Sequence, residues 1–142
     1  MHLVILGNGA AAISAVRTVK RKNRKIKITL ISKENVPYYS PAILPYYLEG
    51  KVRRQDLFPE KWDFYRKNKI EIIMGKKVKH INPQEKKVGL EDGFELEWDK
   101  LLIATGASPF IPSFKGIENK GVFVFRTLSD AESILNNLKK RW

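Results

Sequence analysis

Residues 2–12 read His2-Leu-Val-Ile-Leu-Gly7-Asn-Gly9-Ala-Ala-Ala12, a short apolar run that passes directly into a glycine pair and then into small residues. Alternation is absent from Leu3-Val4-Ile5-Leu6, so the run predicts a strand buried on both faces, as in a parallel sheet covered on each side. The spacing Gly7-x-Gly9-x-x-Ala12 matches the accepted variant of the dinucleotide fingerprint. Gly7 lets the chain turn tightly, Gly9 keeps side-chain atoms out of the path of a pyrophosphate, and Ala12 is small enough for the new helix to pack on the strand. Ala10 falls in the first helical turn, where free N–H groups and the positive dipole end suit phosphate.

Outward from that turn, a helix is expected from about Ala10 to Lys22, with Ile13, Val16 and Val19 forming a stripe that covers one sheet face. The run Ile26 to Ser32 reads as the next strand and completes a βαβ unit. In dinucleotide folds an acid at the end of this second strand accepts the ribose hydroxyls. Here the strand ends in Ser32, followed by Lys33 and Glu34, so Glu34 is the nearest acid to that place. Ser32 and Lys33 together suit a 2′-phosphate, which keeps NADP open as a second ligand.

The segment Asn35 to Gly50 carries four tyrosines and three prolines and reads as a stiff, aromatic surface loop, with Lys51 to Phe58 a polar connection. Pro59 suits a first helical position, and Trp62, Phe64 and Tyr65 make the short helix after it apt to dock. Ile70 to Met74 resumes the parallel sheet. Val78 to Ile81, Lys86 to Leu90 and Phe94 to Trp98, separated by Asn82-Pro83 and Asp92-Gly93, predict a three-stranded antiparallel meander laid over it. Leu101 to Gly106 is a further apolar strand ending in a glycine turn, and Val122 to Phe125 a final one. Thr127-Leu-Ser-Asp130 is a capping pattern, and the helix after it places Ala131, Ile134, Leu135 and Leu138 on one face before Lys139-Lys140-Arg141-Trp142. The fold class expected is α/β, a Rossmann-like parallel sheet with an antiparallel insertion, over residues 1–142 as one domain.

Composition narrows the function. The chain has 142 residues, a net charge of +12, no cysteine and two histidines, His2 and His80. Without cysteine there is no thiol redox chemistry from this chain, and two scattered histidines do not suggest a metal centre. The basic residues are densest in Lys20 to Lys27, at the end of the first helix, where cations complement the helix C-terminus. No aromatic side chain interleaves them to stack on bases, so nucleic acid is not the expected partner. No run approaches the roughly 20 apolar residues of a membrane span, and a cytoplasmic protein is expected.

With these elements placed, the sequence resembles the N-terminal FAD-binding part of the pyridine nucleotide-disulfide oxidoreductase superfamily, in the branch of NADH oxidases, coenzyme A-disulfide reductases and nitrite reductase large subunits. The likeness rests on three segments. These are Gly7-x-Gly9-x-x-Ala12, the loop Tyr39-Ser40-Pro41 to Gly50, and Lys100-Leu-Leu-Ile-Ala-Thr105-Gly106-Ala-Ser-Pro109. The resemblance implies FAD as cofactor: Gly7, Gly9, Ala10 and Ala12 seat the pyrophosphate, Ser32, Lys33 or Glu34 the adenosine ribose, Val78 the adenine by its backbone, and Ala104, Thr105 and Gly106 the wall near the flavin. The function implied is that of an FAD-binding domain or subunit of an NAD(P)H-dependent flavoprotein oxidoreductase. A non-enzymatic NADP-binding or assembly module is the alternative.

Two departures shape the expectation further. Similar oxidases, peroxidases and disulfide reductases carry a redox cysteine in the tyrosine-rich loop, and that position here is Ala42. No catalytic residue is therefore assigned. Relatives also continue into an NAD(P)H domain and a returning Gly-Asp segment for the ribityl chain, so the chain is read as truncated before them. Exposed apolar surface is then expected at the sheet edge and under residues 37–47, favouring a homo-oligomer or a partner chain that carries the NAD(P)H domain.

Overall fold

The strand that opens the chain lies inside a four-stranded parallel sheet, as its unbroken apolar run demands. In the computed structural model, which describes residues 1–139, β1 (His2–Leu6) pairs with β2 (Lys27–Ser32) on one side and with β7 (Lys100–Ile103) on the other. β3 (Ile70–Met74) flanks β2, giving the order β3-β2-β1-β7. The register Leu6↔Ile31 and Leu6↔Ile103 brings the carboxyl ends of β2, β1 and β7 level. Of the expected last-helix tail, Lys140, Arg141 and Trp142 lie outside the described residues.

Both faces of this sheet are covered. Helix α1 (Ala10–Lys22) buries Ala12, Ile13 and Val16 against Ile5, Ile28 and Leu30, with Tyr65 and Ile70 in the same cluster. The opposite face presents Val4, Leu6 and Ile31 to Val88 and Leu90 of the antiparallel sheet β4-β5-β6 (Val78–Asn82, Lys87–Leu90, Glu95–Glu97). The meander thus forms as the turn signals foretold: Asn82 Oδ1 accepts from the N–H groups of Gln84 and Glu85, and Gly93 takes a φ of +86°. Lys20, within the basic run, is buried, and its ammonium donates to the carbonyls of Ile26 at 2.8 Å and Arg24 at 3.5 Å. Part of that charge therefore ties α1 to β2.

The chain divides into two units, the first being residues 1–39 and 58–106 and the second residues 40–57 and 107 onward. In the second unit the expected loop contains structure: a 3₁₀ turn at Pro41–Ile43 leads into a short helix, α2 (Leu44–Leu48), with Leu44 buried. The supposedly polar connection holds a second 3₁₀ turn, Arg54–Asp56, and the fully buried Leu57. Helix α4 (Leu128–Lys139) packs on α2, and Arg54 Nε meets Glu132 Oε1 at 2.7 Å. The capping pattern is realised, since Asp130 Oδ2 accepts from the Thr127 N–H at 2.7 Å while Thr127 Oγ1 accepts from the Asp130 N–H at 3.2 Å. On α4 the expected apolar face is covered at its start and open at its end: Ala131 is buried, Ile134 and Leu135 are partly buried and Leu138 is half exposed.

Two elements depart from expectation. Helix α3 spans Trp62–Lys67 with Lys61 as its N-cap, so Pro59 precedes the helix rather than opening it. Among the described residues Val122–Phe125 forms no ladder: the four side chains stay 38–46% exposed in a segment without regular structure. An apolar tetrapeptide has strand propensity, but a strand also needs a paired neighbour, and none of the described strands pairs with this one.

Candidate functional site

The two fingerprint glycines are glycine for different reasons. Gly7 has a φ of +109°, and a Cβ built on it would sit 2.2 Å from the Ala104 carbonyl oxygen. Its N–H donates to Ile31 O at 2.8 Å, while the Ala104 N–H donates to Leu6 O at 2.8 Å. Gly7 is thus the point where three strand ends converge, and any side chain there collides with backbone. Gly9 has φ −85° and ψ −173°, open to any residue, and nothing lies within 4 Å of where its Cβ would stand. The fold makes no demand for glycine at that place, and the space above it is free. Gly9 is also the N-cap of α1, with no side-chain cap and no acid in the first turn, so the leading N–H groups face outward without a protein acceptor from those sources. Ala10 is exposed at this opening, and Ala12 is fully buried under it.

The neighbouring strand ends bring most of the other expected residues to the same edge. β1 connects through α1 to β2 on one side while β7 lies on the other, so the strand order reverses at β1. In open α/β sheets ligands bind at the carboxyl edge beside such a reversal. Ala104 touches Gly7 there, and Thr105 and Gly106 continue exposed beyond it, Gly106 with a φ of +70°. Ser32 is nearly buried, its Oγ accepting from the Glu34 N–H at 3.2 Å, whereas Lys33 is exposed and Glu34 partly so. The Ser32 carbonyl accepts from the Lys76 N–H at 3.1 Å, which places the entry to β4, and so Val78, beside the end of β2.

Three residues not expected at the site hold this edge together. The Tyr65 hydroxyl donates to Asn8 Oδ1 at 2.8 Å and accepts from the Tyr38 N–H at 3.0 Å, while Asn8 Nδ2 donates to Val36 O at 3.2 Å. Tyr65 is buried, which pushes its phenol above the ordinary range and keeps it a neutral donor. The third, Tyr39, donates to the Glu34 carboxylate, 2.9 Å from Oε1 and 3.2 Å from Oε2. Asn8 lies between the two glycines, Tyr39 lies in the tyrosine-rich segment and Tyr65 sits in the helix apt to dock, but the sequence placed none of them at the site.

This also corrects the expected tyrosine patch. Tyr39 is buried and hydrogen-bonded, Tyr38 and Tyr47 are partly covered, and Tyr46 alone of the four is half exposed. Exposed apolar side chains gather instead along residues 110–125, at Phe110, Ile111, Phe114 and Val122 to Phe125. Ala42 is exposed in the first 3₁₀ turn and lines an open groove of about 340 Å³ with Pro41, Leu44, Pro45, Phe125 and Arg126.

A parallel sheet with a glycine turn at its order reversal, an open helix start and an antiparallel sheet on one face define a Rossmann-like nucleotide-binding domain of the flavoprotein oxidoreductase type. Residues 1–142 match the model of the pyridine nucleotide-disulphide oxidoreductase family, and the chain belongs to that family. It is 34% identical over 146 aligned residues to an NADH oxidase of Methanocaldococcus jannaschii, covering 99% of this chain and 33% of that protein. It is 33% identical to the assimilatory nitrate reductase electron transfer subunit of Bacillus subtilis, over 95% of this chain and 18% of that one. Among solved structures, an NAD-dependent persulfide reductase from A. fulgidus superposes with a TM-score of 0.89 at 29% identity, over 99% of this chain and 28% of that one. The chain spans about a third or less of the length of the curated relatives it matches. The family is generally FAD-dependent. No helix among the described residues is long and apolar enough to cross a membrane.

Proposed function

We propose that this chain is an FAD-binding domain of an NAD(P)H-dependent flavoprotein oxidoreductase, with residues 1–142 acting together as that domain in the cytoplasm. The observation that carries the reading is Gly9, a glycine that the fold does not need, at the open N-terminus of α1. The groups present suit a pyrophosphate: backbone donors, a helix dipole, and no acid in the first turn to repel it. Gly7, Gly9, Ala10 and Ala12 seat the pyrophosphate, and Ser32, Lys33 or Glu34 meets the adenosine ribose. Val78 reaches the adenine through its backbone, and Ala104, Thr105 and Gly106 wall the approach to the flavin.

Bound FAD supplies the electron transfer, and this chain orients and shields it. No side chain is assigned a catalytic role. Ala42 carries a methyl group that forms neither a sulfenic acid nor a mixed disulfide, so any turnover is independent of a thiol from this chain. A partner chain that carries an NAD(P)H domain, or a second copy of this chain, associates with it in this reading.

Calorimetric titration with FAD and with ADP-ribose tests the proposal. Binding of both, and a yellow protein after loading with FAD, is the expected result. Absence of heat and of any thermal shift with either ligand abandons it.

A further inference from the structure

The dinucleotide reading leaves open which of Ser32, Lys33 and Glu34 meets the ribose, and the hydrogen-bond pattern separates them. Ser32 is 6% exposed, and its hydroxyl already accepts from the Glu34 N–H, which holds the turn after β2. Glu34 remains partly exposed, next to the strand end whose Ile31 carbonyl takes the Gly7 N–H. Its carboxylate has room for about four hydrogen bonds. One is filled within the protein, because the Tyr39 hydroxyl donates across both oxygens at 2.9 and 3.2 Å.

Tyr39 is itself fixed. It is 7% exposed, and its ring meets Phe58 edge to face, with centroids 6.4 Å apart and planes at 88°. The hydroxyl is therefore presented from a side chain with little freedom, and the flexible Glu34 side chain takes its orientation from it. Holding a long acid in one geometry before a ligand arrives lowers the ordering cost of binding.

We propose that Tyr39 is the positioning residue that holds the Glu34 carboxylate as the acceptor for the 2′- and 3′-hydroxyls of the adenosine ribose. This rests on the dinucleotide reading above and deepens it. It also carries a ligand preference: an anionic carboxylate fixed at this place accepts from a 2′-hydroxyl and repels a 2′-phosphate, despite the nearby Lys33.

The test is calorimetric titration of the whole chain with ADP and with 2′-deoxy-ADP, for the wild type, Tyr39→Phe and Glu34→Asp. Phenylalanine keeps the ring against Phe58 and removes only the hydroxyl; aspartate keeps the charge but draws it back from Tyr39. The wild type is expected to prefer ADP about tenfold, and each variant to narrow that ratio to about threefold or less, ADP losing more affinity than 2′-deoxy-ADP, which keeps only the 3′-hydroxyl contact, with the thermal midpoint unchanged. A merely structural tyrosine weakens both ligands alike or lowers the midpoint, and leaves the ratio standing. An unchanged ratio in either variant overturns the role of Tyr39. If the wild type binds ADP well but does not distinguish the two ligands, the ribose contact itself is absent and the inference falls while the dinucleotide reading survives. Failure of the wild type to bind either ligand removes both.

Discussion

The two ends of one parallel sheet are built on opposite plans. At the carboxyl edge, β1 runs into Gly7 and Gly9 and then into a helix start with neither a side-chain cap nor an acid in its first turn. At the amino edge, polar groups pair with one another. The buried Thr29 hydroxyl donates to Glu71 Oε2 at 2.9 Å and so accepts from His2 Nε2 at 2.7 Å, which assigns the ring proton to that nitrogen. Lys27 lies 3.3 Å from the same carboxylate, and Asp99 accepts the His2 N–H. The same strands thus end in satisfied groups at one edge and in open donors at the other. Polar groups closed on themselves anchor strands, whereas donors left open within a well-ordered frame await an acceptor from outside.

The largest expected effect falls on the frame. Gly7→Ala forces a Cβ onto the Ala104 carbonyl at positive φ, so destabilisation on the order of 3–5 kcal/mol is expected from strain and overpacking together. Denaturant melts check it; a variant as stable as the wild type breaks the distinction between the two glycines. Gly9→Val is the counterpart, placing its side chain in open space. Its melting midpoint should fall by no more than about 5 °C, the cost of a poorer N-cap residue, while FAD affinity drops at least about tenfold, roughly 1.4 kcal/mol.

A smaller effect belongs to the network behind the turn. Tyr65→Phe leaves Asn8 Oδ1 and the Tyr38 N–H without their partner, a cost of about 1–3 kcal/mol in equilibrium unfolding. Loss of nucleotide affinity alongside the stability would extend the network's part from frame to site.

The smallest effects sit at the amino edge and depend on pH. Burial first, and then Lys27, holds the His2 imidazole below its ordinary value, and the Thr29 hydrogen bond chiefly holds the Glu71 carboxyl below its own. Both groups bind protons less readily when folded than when unfolded, so each contributes stability that is complete above its ordinary pKa and is lost as pH falls through the folded one. The midpoint of denaturation should therefore decline from pH 7 downward, first through His2 and then, below about pH 4.5, through Glu71. His2→Gln should flatten the first part of that curve and Thr29→Val the second. Parallel curves for wild type and both variants would show that these groups do not set the acid limb.

How far the sequence disclosed this molecule follows the range of each interaction. The β1-turn-α1 unit was legible because apolar continuity, two glycines and helical periodicity all act over a dozen neighbouring residues. The meander was legible for the same reason, its turns being written in Asn82 and in Asp92-Gly93. Helix α2 was hidden because Pro41 and Pro45 read as breakers, whereas both stand in the first turn of the element that follows, where no N–H is missed. Val122–Phe125 failed in the other direction: its apolarity is local, but a ladder requires a neighbouring strand. The Tyr65–Asn8 contact spans 57 positions, and no spacing rule reaches so far. Tyr39 lies only 5 residues from Glu34, yet among four tyrosines nothing in the order of residues marks it as the one that turns inward.

The strand order carries a consequence for how the protein is made. β1 lies inside the sheet and is synthesised long before its second neighbour, β7, which is residues Lys100–Ile103. A ribosome must therefore release about a hundred residues before the central strand has both partners, and during that interval Val4, Ile5 and Leu6 have one side open. The second unit closes later still, when Glu132 emerges to meet Arg54, 78 positions behind it. For this chain, completing the central strand is a long-range pairing, of the kind that forms slowly and leaves apolar strand edges open in the interval.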